Sequence, residues 1–319
     1  MFFRNKKNLF FYFALGCVFW RIFSLHLFEK SEHPALKSRV SSEDKATLSK
    51  ILSKIPKDDQ LILEDFFHDL VTQSLFGYVL FGNKPLSDAS CINPLSDFYF
   101  RFRMEPENLK FYKGIICWRK HYNLFPSKDY LFIFFEDPTK DDYIKIALVN
   151  KKAYLKIIQK NLIKFQTVLG PNMTAEKLLV KFVTDQDFWE NPFDYETLGI
   201  LFGYGESNSY LFQRREDINP QPCCRRFTLK KRPKIPRQGY ATIEEEYADL
   251  RIQLQPLEDD ISFDREYMDL PRFAAIANSE ETIRIKNDFI QTRKKMIKIF
   301  RDGEFFKKSM QRYTGLESD

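Results

Sequence analysis

Only one stretch of this sequence demands β-structure, and it is short. Asp129-Tyr130-Leu131-Phe132-Ile133-Phe134-Phe135 and Tyr143-Ile144-Lys145-Ile146-Ala147-Leu148-Val149 are two apolar runs rich in β-branched and aromatic residues. Between them lies Asp137-Pro138-Thr139-Lys140-Asp141-Asp142, a turn-forming loop, so the pattern predicts an antiparallel hairpin over 129–149. Around it the apolar residues recur every three or four positions, the period of a helix with one buried face. Leu63, Phe66, Phe67, Leu70 and Val71 form such a stripe, with Asp58 or Asp59 as its cap. An earlier helix opens at Ser41-Ser42-Glu43-Asp44 and stops before Pro56. Tyr78 to Phe81 reads equally as a short strand or a helix end. Further helices are expected over Glu107–Tyr122, Lys151–Leu169, from Thr174, around Tyr195–Tyr204 and over Ser207–Asp217. The last begins at Asn278-x-x-Glu281 and turns Ile285, Phe289, Met296 and Ile299 to one side. These patterns set the fold class as α+β, mainly helical, with a small antiparallel β-hairpin.

Composition adds little about function. Phe is abundant, 33 of 319 residues, and serves as core material. A formal charge of +6 is too small to imply a nucleic-acid partner without a localised patch. The five cysteines are odd in number and contain no C-x-x-C, so they signal neither a disulfide framework nor a zinc ribbon. Cys223 and Cys224 are neighbours and read as unpaired thiols on a loop.

The chain divides by composition. Arg4, Lys6 and Lys7 precede an apolar stretch from Leu9 to Phe28, broken by Arg21, so residues 1–30 read as a signal-anchor or a signal peptide. A helical α+β body is expected over 41–218, a Pro-rich basic linker over 219–240, and over 241–319 a C-terminal segment of irregular acidic stretches ending in an amphipathic helix. The linker carries Arg225, Arg226, Lys230, Lys231, Arg232, Lys234 and Arg237 among four prolines and no acid, a composition suited to contact with an anionic lipid surface. Few aromatics accompany these cations, so nucleic acid is not the expected partner.

Phe76-Gly77-Tyr78-Val79-Leu80-Phe81-Gly82-Asn83-Lys84-Pro85, Leu198-Gly199-Ile200-Leu201-Phe202-Gly203-Tyr204-Gly205 with Ser209-Tyr210-Leu211-Phe212-Gln213-Arg214-Arg215, and Leu270-Pro271-Arg272-Phe273 resemble stretches of uncharacterised chlamydial-type proteins of obligate intracellular bacteria. The resemblance runs over residues 60–300. It implies a bacterial envelope or secreted context and supplies neither an activity nor catalytic residues.

Catalytic signatures are sparse. No phosphate-loop motif occurs. Gly199-x-x-x-Gly203-x-Gly205 follows a helical pattern and reads as close helix packing, with an anion-binding helix break as the sharper alternative. Glu64, Asp65 and His68 share a helix face, yet no second such helix exists to complete a di-metal bundle. Cys117 and His121 stand one helical turn apart, a spacing that permits an activated thiolate but lacks the surrounding signature. Glu206, Asn208, Arg214 and Arg215 form the remaining polar group. No cofactor or metal is expected. The sequence therefore points to a membrane-anchored or exported, non-enzymatic envelope or interaction protein, held by its N-terminal segment and meeting an anionic lipid surface or a protein partner. The alternative is an enzyme of undefined class with a polar site near Gly203–Glu216.

Overall fold

A computed structural model describes residues 48–94, 106–135, 143–184, 193–219, 235–257 and 270–316. The expected hairpin is there. Strand β2 (Tyr130–Phe135) pairs antiparallel with β3 (Tyr143–Asn150), Tyr130 opposite Asn150 and Phe135 opposite Lys145. Its loop lies outside the described residues. A third strand, β1 (Leu86–Ile92), pairs with the other edge of β3, from Leu86 opposite Val149 to Ile92 opposite Tyr143. The order is β1-β3-β2, so the most apolar run becomes the central strand, with Ile144, Ile146, Ala147, Leu148 and Val149 all buried. The sequence Leu-Ser-Asp-Ala-Ser-Cys-Ile carries little strand propensity. Pairing with β3, a long-range contact, selects it.

Helix dominates the described residues several-fold over strand. Helix α1 (Leu48–Leu52) precedes α2 (Lys57–Thr72), which buries the five stripe residues from Leu63 to Val71. Leu75 then takes a left-handed conformation, φ 62°, and opens α3 (Phe76–Leu80). The ambiguous Tyr78 segment is thus helix, and Gly77 lies inside it because a Cβ there would meet Met296 and Val71. Helix α4 (Pro106–His121) runs against α2. Gly114 sets their separation, since a Cβ on it would stand 2.5 Å from the Phe66 ring.

The expected helix over Lys151–Leu169 is two helices, α5 (Lys151–Lys160) and α6 (Leu162–Leu169). Asn161 divides them: its backbone leaves the helical region and its side-chain amide donates to the Ile157 carbonyl at 3.0 Å. Beyond follow α7 (Ala175–Thr184), α8 (Tyr195–Leu201) and α9 (Glu206–Ile218), then α10 (Ile243–Gln253), which falls in the acidic stretch expected to be irregular. Strands β4 (Leu254–Pro256) and β5 (Ala274–Ile276) form a small second sheet. Helix α11 (Glu280–Arg301) begins one residue later than the sequence suggests, capped by the Ser279 hydroxyl, which accepts from Thr282 N at 3.1 Å. Helix α12 (Phe305–Thr314) completes the order and sends Phe305, Phe306, Met310 and Tyr313 into the core shared by α2, α3, α4 and the first sheet.

No helix among the described residues is long and apolar enough to cross a membrane. The longest, α11, is amphipathic: it buries Ile285, Phe289, Met296 and Ile297, while Arg284, Lys286, Asp288, Lys294, Lys295 and Lys298 charge the rest of its surface. The stretch from Leu9 to Phe28, on which the signal-anchor or signal peptide rested, lies outside the described residues. An anchored or exported body therefore has no support in the fold, and the membrane is withdrawn as a partner.

The α2–α4 contact is directly testable. In an exposed helix Gly→Ala gains about 1 kcal/mol, whereas overpacking a tight interface costs about 1–3 kcal/mol. The Phe66 Cβ and ring atoms at Gly114 cannot swing aside without moving the helix. Gly114→Ala is expected to lower the unfolding free energy in urea by about 1–2 kcal/mol, opposite in sign to its helix propensity.

Candidate functional site

The glycine-rich segment between α8 and α9 serves both expected purposes. A Cβ at Gly199 would strike the Ser209 hydroxyl, so α8 and α9 cross closely there. Gly205, at φ 94°, caps α9, and the first two amides of that helix, Glu206 N and Ser207 N, donate to the Glu281 carboxylate at 2.8 and 3.0 Å. The helix start does bind an anion, and that anion is the chain's own carboxylate, delivered by α11.

Lys84 lies beneath this turn. Its side chain is 2 % exposed, and its ammonium donates to the Phe202 carbonyl at 2.6 Å, one of the open carbonyls at the end of α8. The same nitrogen sits 5.0 Å from the Phe202 ring centroid and 4.8 Å from that of Tyr204, which stacks on Phe273 at 4.6 Å. Burial pulls its pKa down to about 7, against a smaller upward pull from Asp88. Lys84 thereby pins the approach to β1 onto the α8–α9 turn.

Beside this turn opens a cleft of about 1010 Å³. Gly203, Gly205, Glu206 and Glu281 line it, as do Lys152, Lys156 and Lys160 of α5, Arg284 of α11 and Arg312 of α12. The three lysines recur at every fourth position and so share one helix face. Asn150 caps α5 by accepting from Ala153 N at 3.1 Å, and both residues line the cleft, so the positive end of the α5 dipole faces it as well. Among the described residues, Lys152, Lys156, Lys160 and Arg284 make no ion pair. Two of the four lining carboxylates are already engaged: Glu281 on the α9 amides, and Glu206 with Lys164 at 3.2 Å. Asp129 and Asp288 are the other two.

The four polar residues singled out near Gly203–Glu216 do not converge. Glu206 reaches the cleft. Asn208 is buried, donating to Tyr204 O at 2.9 Å and accepting from Ile276 N at 3.0 Å, which ties α9 to β5. Arg214 grips the Glu246 carboxylate on α10 with two bonds of 2.8 and 2.7 Å, while Arg215 pairs with Glu216 at 3.1 Å. Of the basic linker, Arg225, Arg226, Lys230, Lys231, Arg232 and Lys234 lie outside the described residues. Arg237 is described: its side chain and its backbone amide both donate to Glu246, at 2.6 and 3.0 Å, so its charge is spent within the chain.

A second cluster joins α2 and α4. Asp59, Cys117 and His121 bring a carboxylate oxygen, a sulfur and an imidazole nitrogen within 4.8 Å of one another, with Cys117 and His121 buried. His121 Nε2 lies 2.7 Å from Asp59 Oδ2, and Lys120 Nζ donates to that same oxygen at 2.7 Å. The Cys117 thiol donates to the Asp59 backbone carbonyl at 3.5 Å. Burial, reinforced by the Asp59 charge, pushes the thiol pKa up to about 11, so the activated thiolate that the Cys117–His121 spacing permits is not what the fold builds. Elsewhere on α2, Asp65 pairs with Lys110 at 3.2 Å, and the His68 ring packs against Phe300 and Phe305, which separates the Glu64–Asp65–His68 trio into unrelated contacts.

The sequence held a signal for the cleft, because Lys152, Lys156 and Lys160 stand at helical spacing in plain view. It held none for the pairing of Asp59 with Cys117 and His121, which depends on how α2 meets α4. Comparison with protein-family models, with curated proteins and with solved structures finds no match to this chain.

Two buried charges give pH signatures. Between about pH 7 and 10.5 the unfolded chain holds a proton that folded Lys84 has released, so stability rises with pH across that window. Lys84→Met is expected to flatten this limb in urea titrations at pH 7, 8.5 and 10. Glu246 gives a slope of the same sign in acid: Arg214, then Arg237, hold its pKa down to about 2 against 4.5 when unfolded. Its contribution, on the order of 2–3 kcal/mol, is present above pH 4.5 and lost as pH falls to 2. Glu246→Gln is expected to remove that loss and to leave the protein less stable at pH 7.

Proposed function

We propose that the chain binds a small, multiply charged anion, of the phosphorylated-metabolite or phosphorylated-cofactor class, in the cleft beside Gly203–Glu206. Of the two sequence readings, the polar site near Gly203–Glu216 is the one with support, and the site shifts toward its N-terminal edge and onto α5. The observation that carries the proposal is the row Lys152, Lys156 and Lys160 with Arg284, four cations without ion partners among the described residues, lining one concavity. Cations on an open surface are ordinarily just solvated. Here they come from two separate helices and share one cleft with the start of α5. Its volume of about 1010 Å³ stands at the upper end of the range for small-molecule sites, roughly 300–1,000 Å³. The aromatic residues Tyr130 and Phe289 that line it are buried, which leaves no exposed platform for stacking successive bases and favours a small ligand over single-stranded nucleic acid.

The test is calorimetric titration of the full chain with tripolyphosphate at low and high salt. The triple change Lys152→Gln, Lys156→Gln, Lys160→Gln is expected to weaken binding at least tenfold, about 1.4 kcal/mol, with an unchanged circular dichroism spectrum. A control triple, Lys54→Gln, Lys57→Gln, Lys113→Gln, removes the same charge from exposed positions away from the cleft. Equal weakening by both triples reduces the effect to net charge and defeats the proposal, as does a wild-type chain that binds no tripolyphosphate.

A further inference from the structure

We infer that Asp59, Cys117 and His121 form a binding site for one divalent metal ion of the zinc type, set between α2 and α4 and separate from the cleft. The ligand set is the first support. Sulfur, imidazole nitrogen and carboxylate oxygen together select a borderline cation such as zinc or cobalt rather than magnesium or calcium, which take oxygen alone. Charge is the second. A thiolate and a carboxylate sum to −2 and neutralise a divalent ion, so the occupied site carries no net charge into a buried interface.

Geometry is the third. Cys117 and His121 are one turn apart on α4, and Asp59 comes from the first turn of α2. The helices run antiparallel, with Gly114 against Phe66 and Lys110 paired to Asp65 farther along the same contact. Their separation is therefore fixed by packing and not by the cluster itself. Tetrahedral zinc, with bonds of about 2.0–2.3 Å, places neighbouring ligand atoms about 3.3–3.6 Å apart. The three atoms now lie within 4.8 Å of one another, with nitrogen and oxygen 2.7 Å apart. Side-chain rotations that open the His121–Asp59 bond by less than about 1 Å and bring the sulfur in by at most about 1.2–1.5 Å reach tetrahedral spacing. The fourth position falls to solvent on the side of Asp59, whose side chain is 20 % exposed.

Lys120 opposes the ion, because its ammonium already holds Asp59 Oδ2. That side chain is 62 % exposed and is free to swing into solvent when a metal arrives. The competition supplies a test that a plain interhelical clasp fails. A clasp of Lys120 and His121 on Asp59 predicts only lost stability when Lys120 is removed; a metal site predicts tighter binding.

The experiment titrates the reduced, chelator-treated full chain with Co²⁺ and follows the near-ultraviolet thiolate-to-cobalt charge-transfer band. One equivalent with that band is expected, displaced by Zn²⁺, together with a zinc-dependent rise in Tm. Cys117→Ser, which keeps size and shape, is expected to abolish the band with its circular dichroism spectrum unchanged. Asp59→Asn is expected to weaken cobalt at least tenfold, and Lys120→Gln to tighten it several-fold. A band that survives Cys117→Ser but disappears in Cys223→Ser, Cys224→Ser assigns the metal to those adjacent thiols and overturns the inference. No band in the wild-type chain overturns it as well, and so does Lys120→Gln if it lowers Tm without changing cobalt affinity.

Discussion

Trp118 is fully buried, and aromatic rings meet it from every side. Phe67 of α2 stands edge-on at 4.9 Å, Phe125 stacks at 5.3 Å, Phe132 of β2 approaches at 5.5 Å, and Tyr122 and Tyr313 complete the ring at 5.8 Å each. Helix α2, helix α4, the first sheet and helix α12 are thereby held through one side chain. Such contacts contribute about 0.5–1.5 kcal/mol per pair beyond the apolar area they bury. The cluster is dense enough that the indole nitrogen finds no hydrogen-bond partner. The fold tolerates that cost, on the order of 1–3 kcal/mol, for the packing around it. This explains where much of the phenylalanine goes. It also explains why the α2–α4 spacing is rigid: Gly114 and Trp118 stand one turn apart, one admitting Phe66 and the other gripping Phe67.

Charges fall into two populations. One is consumed within the chain: Glu246 by Arg214 and Arg237, Glu281 by the start of α9, Lys84 by the end of α8. These sit at element ends and junctions, where a backbone or side-chain partner offsets the cost of burial. The other population, Lys152, Lys156, Lys160 and Arg284, lines a concavity without such partners among the described residues. The contrast is what separates structural charge from charge offered to a ligand. Arg214 and Arg237 would have looked equally available in a list of basic residues, and both are already committed to one carboxylate.

Local patterns were legible and long-range choices were not. The hairpin over 129–149, the stripe from Leu63 to Val71, and the Gly170 end of the α5–α6 stretch follow from short-range rules, and the structure keeps them. Strand β1 escaped because Ser87, Asp88 and Ser90 carry no strand signal; a position beside β3 makes it a strand. Helix α10 was hidden by its acids, Glu244, Glu245 and Glu246, which read as irregular until two of them are seen at work: Glu245 accepts from Ala241 N, and Glu246 binds two arginines. Half of the cleft was readable as a lysine row at helical spacing. The other half, Arg284 and Arg312, joins it only through tertiary packing. Cys117 and His121 were visible as a pair; Asp59, expected as a cap, stands instead in the first turn of α2 behind Pro56, and nothing in one dimension brings it to a pair some sixty positions away.

Helix α12 has a consequence for the order of events during synthesis. Tyr313 and Met310 are fully buried against residues of the first hundred positions of the described body, and Arg312 Nε donates to the Leu80 carbonyl, a separation of 232 residues. Until that helix has left the ribosome, the Trp118 cluster presents an uncovered aromatic face and cannot close. Non-local contacts of this reach slow folding, and the exposed intermediate is a natural client for chaperones during elongation. A nascent chain stalled before Phe305 would thus carry its α2–α4 pair and sheet with the lid of the core still missing.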